Sequence, residues 1–158
     1  MPGELKNTVL RICSARVYSA IVIGLALLGT VGVTTADEAQ TVLPVIDLRV
    51  GEVPLTVELA VTGTERYMGL SFRESLSDDA GMLFVYEREK PLSFTMRNTL
   101  IPLSIAFLSK DMLVNEIHKM DVGPGQVFNA EKPAQYALEV NQGWFAKHDI
   151  KPGTRITK

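Results

Sequence analysis

Val53, Leu55, Val57, Leu59 and Val61 alternate with Pro54, Thr56, Glu58, Ala60 and Thr62. A period of two sends successive side chains to opposite faces of an extended chain, so this stretch reads as a strand with one face in a core. Thr62-Gly63-Thr64-Glu65 follows with the spacing of a capping box, in which a Thr hydroxyl and a Glu carboxylate satisfy free backbone N–H groups at a helix start. A short helix through Met68 is expected, ending near Gly69.

The same pattern recurs down the chain. Met82 to Tyr86 is apolar and follows the turn-like Asp78-Asp79-Ala80-Gly81, which predicts a buried strand with Ser93 to Arg97 as its neighbour. Ile105 to Leu108, Ser109-Lys110-Asp111 and Met112 to His118 predict a hairpin, with Pro102 opening its first strand. Tyr136, Leu138 and Val140 alternate with Ala137 and Glu139 as another strand. Asn141 is expected to cap a short helix holding Trp144, Phe145 and His148, closed by Asp149 in a left-handed conformation. Thr154 to Thr157 would be a last strand. Short, closely spaced strands with two short helices predict a mostly β domain, a compact β-barrel or β-sandwich, over residues 43–158.

Ahead of that domain, Lys6, Arg11 and Arg16 precede an uncharged apolar run from Val17 to Val33, then Thr34-Thr35-Ala36-Asp37. A basic stretch, an apolar helix and small residues make the layout of a signal peptide, with cleavage expected after Ala36. A membrane anchor is the rival reading, since the run is near the minimum for a span. Residues 1–36 are thus leader or anchor and 37–42 a polar linker. Export is expected, to the periplasm or to the outward face of the inner membrane. The membrane would be touched only through an uncleaved leader.

The only cysteine, Cys13, lies before the apolar run, so the domain beyond it has no disulfide and depends on its core. Of the formal net charge of −2, the first 36 residues contribute +2, leaving −4 for the remainder. With no basic stripe, a nucleic-acid partner is not expected. The partner is instead an unidentified small molecule or protein.

Several ordered motifs carry a family resemblance. They are Val57-Glu58-Leu59-Ala60, Glu65-Arg66, Met68-Gly69-Leu70-Ser71-Phe72-Arg73, Asp79-Ala80-Gly81-Met82-Leu83-Phe84 and Met96-Arg97-Asn98-Thr99-Leu100-Ile101-Pro102-Leu103, with Tyr136 to Val140 and Lys151-Pro152-Gly153 further on. The chain resembles domain-of-unknown-function family 192, the UPF0127-like exported proteins. That resemblance implies a compact β-barrel or β-sandwich with no established activity. It also implies Trp where this chain has Thr95 and Asp where it has Ser104.

Arg66, Arg73 and Arg97 stand in three of these motifs, and a planar guanidinium can hold a carboxylate or phosphate in two-pronged fashion. The bland alternative is bracing, by ion pairs with Glu58, Glu65 or Glu139. Asn98 and Thr99 either bond a turn backbone or reach a polar ligand from the barrel rim. These five residues are the candidate ligand site, for an anion or a sugar.

No cofactor motif and no metal set is present. Met68, Met82 and Met96 suit core packing better than copper, and His118 and His148 lie in no ligand pattern. Ser71 lacks the second glycine of a nucleophile elbow. Trp144-Phe145 suits a lid on the core better than an exposed platform. The leading expectation is a non-enzymatic binding module. The alternatives are a carboxylate-based hydrolase or lyase acting in the periplasm, which requires Glu58, Asp79 or Glu139 to be buried with a raised pKa, and an interaction protein.

Overall fold

The computed structural model describes residues 43–123 and 125–158. The expected leader, cleavage site and linker, including the N-terminal hydrophobic helix, lie outside the described residues. Among the described residues nine strands and two short helices follow one another as β1 (Val45–Val50), β2 (Val53–Ala60), α1 (Gly63–Met68), β3 (Ala80–Lys90), β4 (Ser93–Thr95), β5 (Leu103–Leu108), β6 (Val114–Met120), β7 (Val127–Asn129), β8 (Ala134–Asn141), α2 (Trp144–Lys147) and β9 (Ile156–Thr157).

Seven strands form one mixed sheet in the order β6-β5-β8-β3-β2-β1-β9, while β4 and β7 pair separately as a ribbon. Neighbours are antiparallel except β2 and β3, which run parallel. Parallel neighbours need a crossover rather than a hairpin, and α1 with the loop after it supplies one. The sheet curls into a half-barrel. Its two outer strands approach at one end, where Leu113 bridges Arg155 and the amide of Val114 donates to the Thr154 carbonyl at 2.9 Å. The expected mostly β class is therefore found, and the barrel is realised in part.

Strand alternation divides the core into two layers. On one face Leu48, Val57, Leu59, Leu83, Leu138 and Val140 pack against Trp144 and Phe145 of α2. On the other, Met82, Phe84, Ile105 and Phe107 pack against Leu70 and against Phe94 of the ribbon. The sheet is thus covered on both sides. Trp144 and Phe145 are both buried, which agrees with a lid role.

Local signals match the structure closely where they are chemical. The Thr62 hydroxyl accepts from the Glu65 amide at 3.2 Å, the Glu65 carboxylate accepts from Thr62 N at 2.9 Å, and the helix ends at Gly69. Asp149 is left-handed, with φ of 55°. Three expectations need correction. Ser93 to Thr95 does not pair with β3 but with β7. Asn141 ends β8 and its side-chain amide donates to the Leu76 and Ser77 carbonyls, each at 3.0 Å, leaving the helix cap to Gly143. Ala80 and Gly81 belong to β3 and not to a turn.

Gly81 has a reason to be glycine. It pairs with Val57 on one side and Val140 on the other, and a Cβ built there would lie 2.6 Å from the Glu139 carbonyl oxygen and 3.0 Å from Val140 Cγ1. A backbone carbonyl inside a central sheet cannot swing aside. Gly81→Ala is expected to cost about 1–3 kcal/mol or more in urea unfolding. A neutral result would mean that β3 and β8 are further apart than described.

Candidate functional site

The second core layer is incompletely filled. A cavity of about 430 Å³ lies between the sheet and its cover, within the range of small-molecule sites. Arg66, Tyr67 and Met68 of α1 line it, with Leu70 and Ser71 of the loop beyond. Phe84 and Tyr86 of β3 and Glu139 of β8 face it from the sheet. Ser93, Phe94 and Thr95 of β4, then Arg97 and Thr99, complete the wall.

Two turns hold the mouth together. The Phe72 amide donates to the Asn98 carbonyl at 2.8 Å, and the Ser71 hydroxyl approaches the Arg97 carbonyl at 3.4 Å. Phe72 and Asn98 both adopt left-handed backbone, with φ of 62° and 58°. Asn accepts that conformation readily, whereas a bulky Phe does so at some cost. Phe72 and nearby Leu100 are exposed apolar side chains, as is Tyr67.

The five candidate residues separate into two groups. Arg66, Arg97 and Thr99 line the cavity. Arg73 does not: its Nη1 and Nη2 donate to the two Glu58 carboxylate oxygens at 2.5 and 2.7 Å, a two-pronged pair that ties the crossover loop to β2 and raises the Arg73 pKa. Asn98 also lies outside the lining, and its backbone carbonyl serves the turn. Arg73 therefore serves as a brace, and Asn98 takes part in the turn through its backbone carbonyl rather than through the side chain that the sequence suggested.

Arg66 does both jobs. Its Nη1 donates to the Val61 carbonyl and to the Val85 carbonyl, the latter at 2.8 Å, and its guanidinium stacks on Tyr86 at 4.6 Å. Nε and Nη2 make no hydrogen bond among the described residues. Arg97 is exposed, and its guanidinium lies 4.4 Å over the Tyr67 ring with no carboxylate partner among the described residues. Stacking leaves the in-plane N–H groups of a guanidinium available.

Of the three carboxylates considered for acid–base chemistry, Glu58 is paired with Arg73. Asp79 is exposed and accepts from Trp144 Nε1 at 3.1 Å. Nearby, His148 Nε2 is buried without a hydrogen bond, 3.9 Å from Asp79 Oδ1. Glu139 alone is buried without a cationic partner, and desolvation pushes its pKa up to about 8. The Tyr86 phenol is also raised, first by burial, then eased by the charge of Arg66 and raised again by Glu139. Among the described residues no group of three His, Cys, Asp or Glu side chains is placed to hold a metal. Met82 and Met96 are core residues, whereas Met68 is exposed at the cavity.

Tyr67 and Tyr86 went unnoticed in the sequence, because tyrosine in a strand or helix of this kind usually packs. Thr95, where the resemblance implied Trp, lies in the cavity wall as a small polar residue. Ser104 is buried, and its hydroxyl accepts from the Gly143 amide at 3.1 Å at the start of α2. That position is structural.

Fold and site together define a small β half-barrel with a half-open, mixed polar and apolar cavity. The chain belongs to the DUF192 family, an uncharacterized group whose pattern matches residues 46–158. A solved protein of unknown function from Novosphingobium aromaticivorans is 32% identical, with a TM-score of 0.70 over 80% of this chain and 99% of its own. A candidate transcription regulator from Sinorhizobium meliloti 1021 is 29% identical, with a TM-score of 0.72 over 74% of this chain and 95% of its own. No curated protein matches the chain.

Proposed function

We propose that this protein is a non-enzymatic binding module, acting after export in the periplasm or at the outward face of the inner membrane, whose cavity takes a small anionic molecule. The observation that carries the reading is Arg97, held over Tyr67 at the wall of a ligand-sized cavity with no carboxylate partner among the described residues. Arg66 adds a second cation with unused donors. Two guanidiniums beside one half-open hollow are a recognition arrangement for carboxylate or phosphate. Export is supported by the basic-then-apolar leader ending in Thr34-Thr35-Ala36. The acidic balance beyond residue 36 argues against a nucleic-acid partner, so the transcription-regulator description of the Sinorhizobium protein is not carried over to this chain.

A thermal-shift panel of benzoate, inorganic phosphate, galacturonate and glucose tests the reading. A true ligand raises the melting temperature by mass action, by about 2.7 kcal/mol of stability at a hundredfold excess over Kd. At least one anion is expected to do so and glucose is not. Arg97→Ala should abolish the shift, while Arg73→Met should lower the baseline and leave the shift intact. If none of the anions stabilises the protein, the reading fails.

One observation favours a second reading, carboxylate acid–base catalysis. Glu139 retains its proton near neutral pH, as a general acid must. It is, however, the only carboxylate in the cavity wall among the described residues, whereas glycoside chemistry uses two. The binding reading needs no second acid.

A further inference from the structure

Glu139 is the least expected group in the cavity wall. No hydrogen bond or ion pair reaches its carboxyl among the described residues, although two guanidiniums share the space. Arg66 is turned to backbone carbonyls and Tyr86, and Arg97 to Tyr67. In register, Glu139 lies between Met82 of β3 and Ile105 of β5, and β5 carries no charged residue. The same cross-strand row runs on through Glu58 of β2, clamped by Arg73, to Val45 of β1, and ends on the other side at His118 of β6, 2.9 Å from Glu116. Tyr86 is the titratable neighbour on β3, and α1 presents Arg66 and Tyr67.

An anion entering this space meets either a carboxylate, which repels it, or a carboxylic acid, which can donate to it. O–H···O⁻ hydrogen bonds are among the strong ones. Around these polar groups the wall is apolar, from Tyr67, Met68, Phe84 and Phe94.

We propose that the cavity binds an amphipathic carboxylate together with one proton, which Glu139 holds and donates in a hydrogen bond to the ligand's carboxylate between Arg66 and Arg97, while the ligand's apolar body lies against Tyr67, Met68 and Phe94. This rests on the anion reading above and narrows it to a ligand class. Burial holds Glu139 at about 8, so at pH 7 the proton is already in place and above pH 8 it is taken up from water. Benzoate itself stays ionised throughout that range.

The test is calorimetric titration of the full chain with benzoate from pH 6 to 9.5, in buffers of different ionisation enthalpy. Acetate is the comparator without an apolar body, and inorganic phosphate the alternative anion. Benzoate affinity is expected to be level below pH 7 and to fall about tenfold per pH unit above 8, with about half a proton taken up per site at pH 8. Benzoate should also bind at least about tenfold more tightly than acetate, since a buried ring adds apolar contact. Glu139→Gln should weaken benzoate binding at pH 7, since an amide N–H is a poorer donor than a carboxylic acid, and should lose the pH dependence above 8.

Benzoate binding that requires Arg97 but is independent of pH, with no proton uptake, overturns the proton-linked inference and leaves the anion reading standing. Equal affinity for acetate and benzoate, or tighter binding of phosphate, overturns the amphipathic ligand class. No binding of any of the three at any pH overturns both the inference and the reading beneath it. The wild-type measurements decide these outcomes even if Glu139→Gln does not fold.

Discussion

Replacing Glu139 with glutamine is expected to remove a pH dependence of folding stability worth roughly 3–5 kcal/mol between about pH 4.5 and 8. The sign follows from the direction of the shift. Burial raises the folded-state pKa of Glu139 from 4.5 to about 8, and neither guanidinium of the cavity wall forms an ion pair with it. Below 4.5 both folded and unfolded chains hold the proton, and the contribution is fully present. As pH rises toward 8 the unfolded chain releases its proton while the folded chain keeps it, so unfolding is progressively favoured. Above 8 the loss is complete and the profile levels. The amide of glutamine is a neutral isostere and carries no such term. Urea unfolding of both proteins at pH 5 and pH 8.5 gives the comparison, and the difference of differences isolates this one group from every other titrating side chain. Superimposable pH profiles would mean that Glu139 is hydrated or ionised in the native protein.

Phe84→Ala is the second large effect, with an expected loss of about 3–5 kcal/mol, as for other buried Phe truncations. Phe84 is 1% exposed and meets Phe94 edge-to-face, with ring centroids 4.9 Å apart. Its neighbours in register are Ala60 on β2 and Ala137 on β8, small residues that make room for its ring but cannot fill the space without it. Gly69 contributes to the same fit, because a Cβ there would lie 3.3 Å from Phe84 Cζ. Little can collapse into the vacancy. The ring also forms part of the cavity wall and links the sheet to the β4–β7 ribbon that covers it. Truncation should therefore weaken benzoate binding as well as stability. Denaturant unfolding reads the first effect and calorimetry the second. A loss below about 1 kcal/mol would show that the cover repacks freely.

The alternation that makes Glu139 legible as a strand residue also conceals its position. Tyr136, Leu138 and Val140 mark one face of β8, and Ala137 and Glu139 the other. In a sheet with one solvated face the second set would be wet, and a Glu there ordinary. Here the crossover through α1 and the ribbon cover that face, so the same residue becomes a buried acid. The error over Ser93 to Arg97 has the same origin. A short apolar run announces a strand but not its partner, and β4 pairs with β7, more than thirty residues away, and not with the preceding strand.

Arg66 and Arg73 show the limit from the other side. Both occur in comparable sequence contexts beside acidic residues, and both are able to hold an anion. Arg73 meets Glu58 because the crossover loop returns alongside β2, while Arg66 points across the sheet to Val85 and Tyr86.

The chain order of polar and apolar residues determined most of the strands, though not β1 or β7, together with the capped helix after β2, the left-handed turn at Asp149 and the dependence on a core without disulfides, because each follows from interactions within a few residues or from composition. The parallel placement of β2 and β3, the covering of both sheet faces, the cavity and the protonated state of Glu139 were decided by tertiary structure alone. Pairing partners, burial and desolvation depend on segments distant in sequence, and no local pattern of residues encodes what will lie on top of a strand.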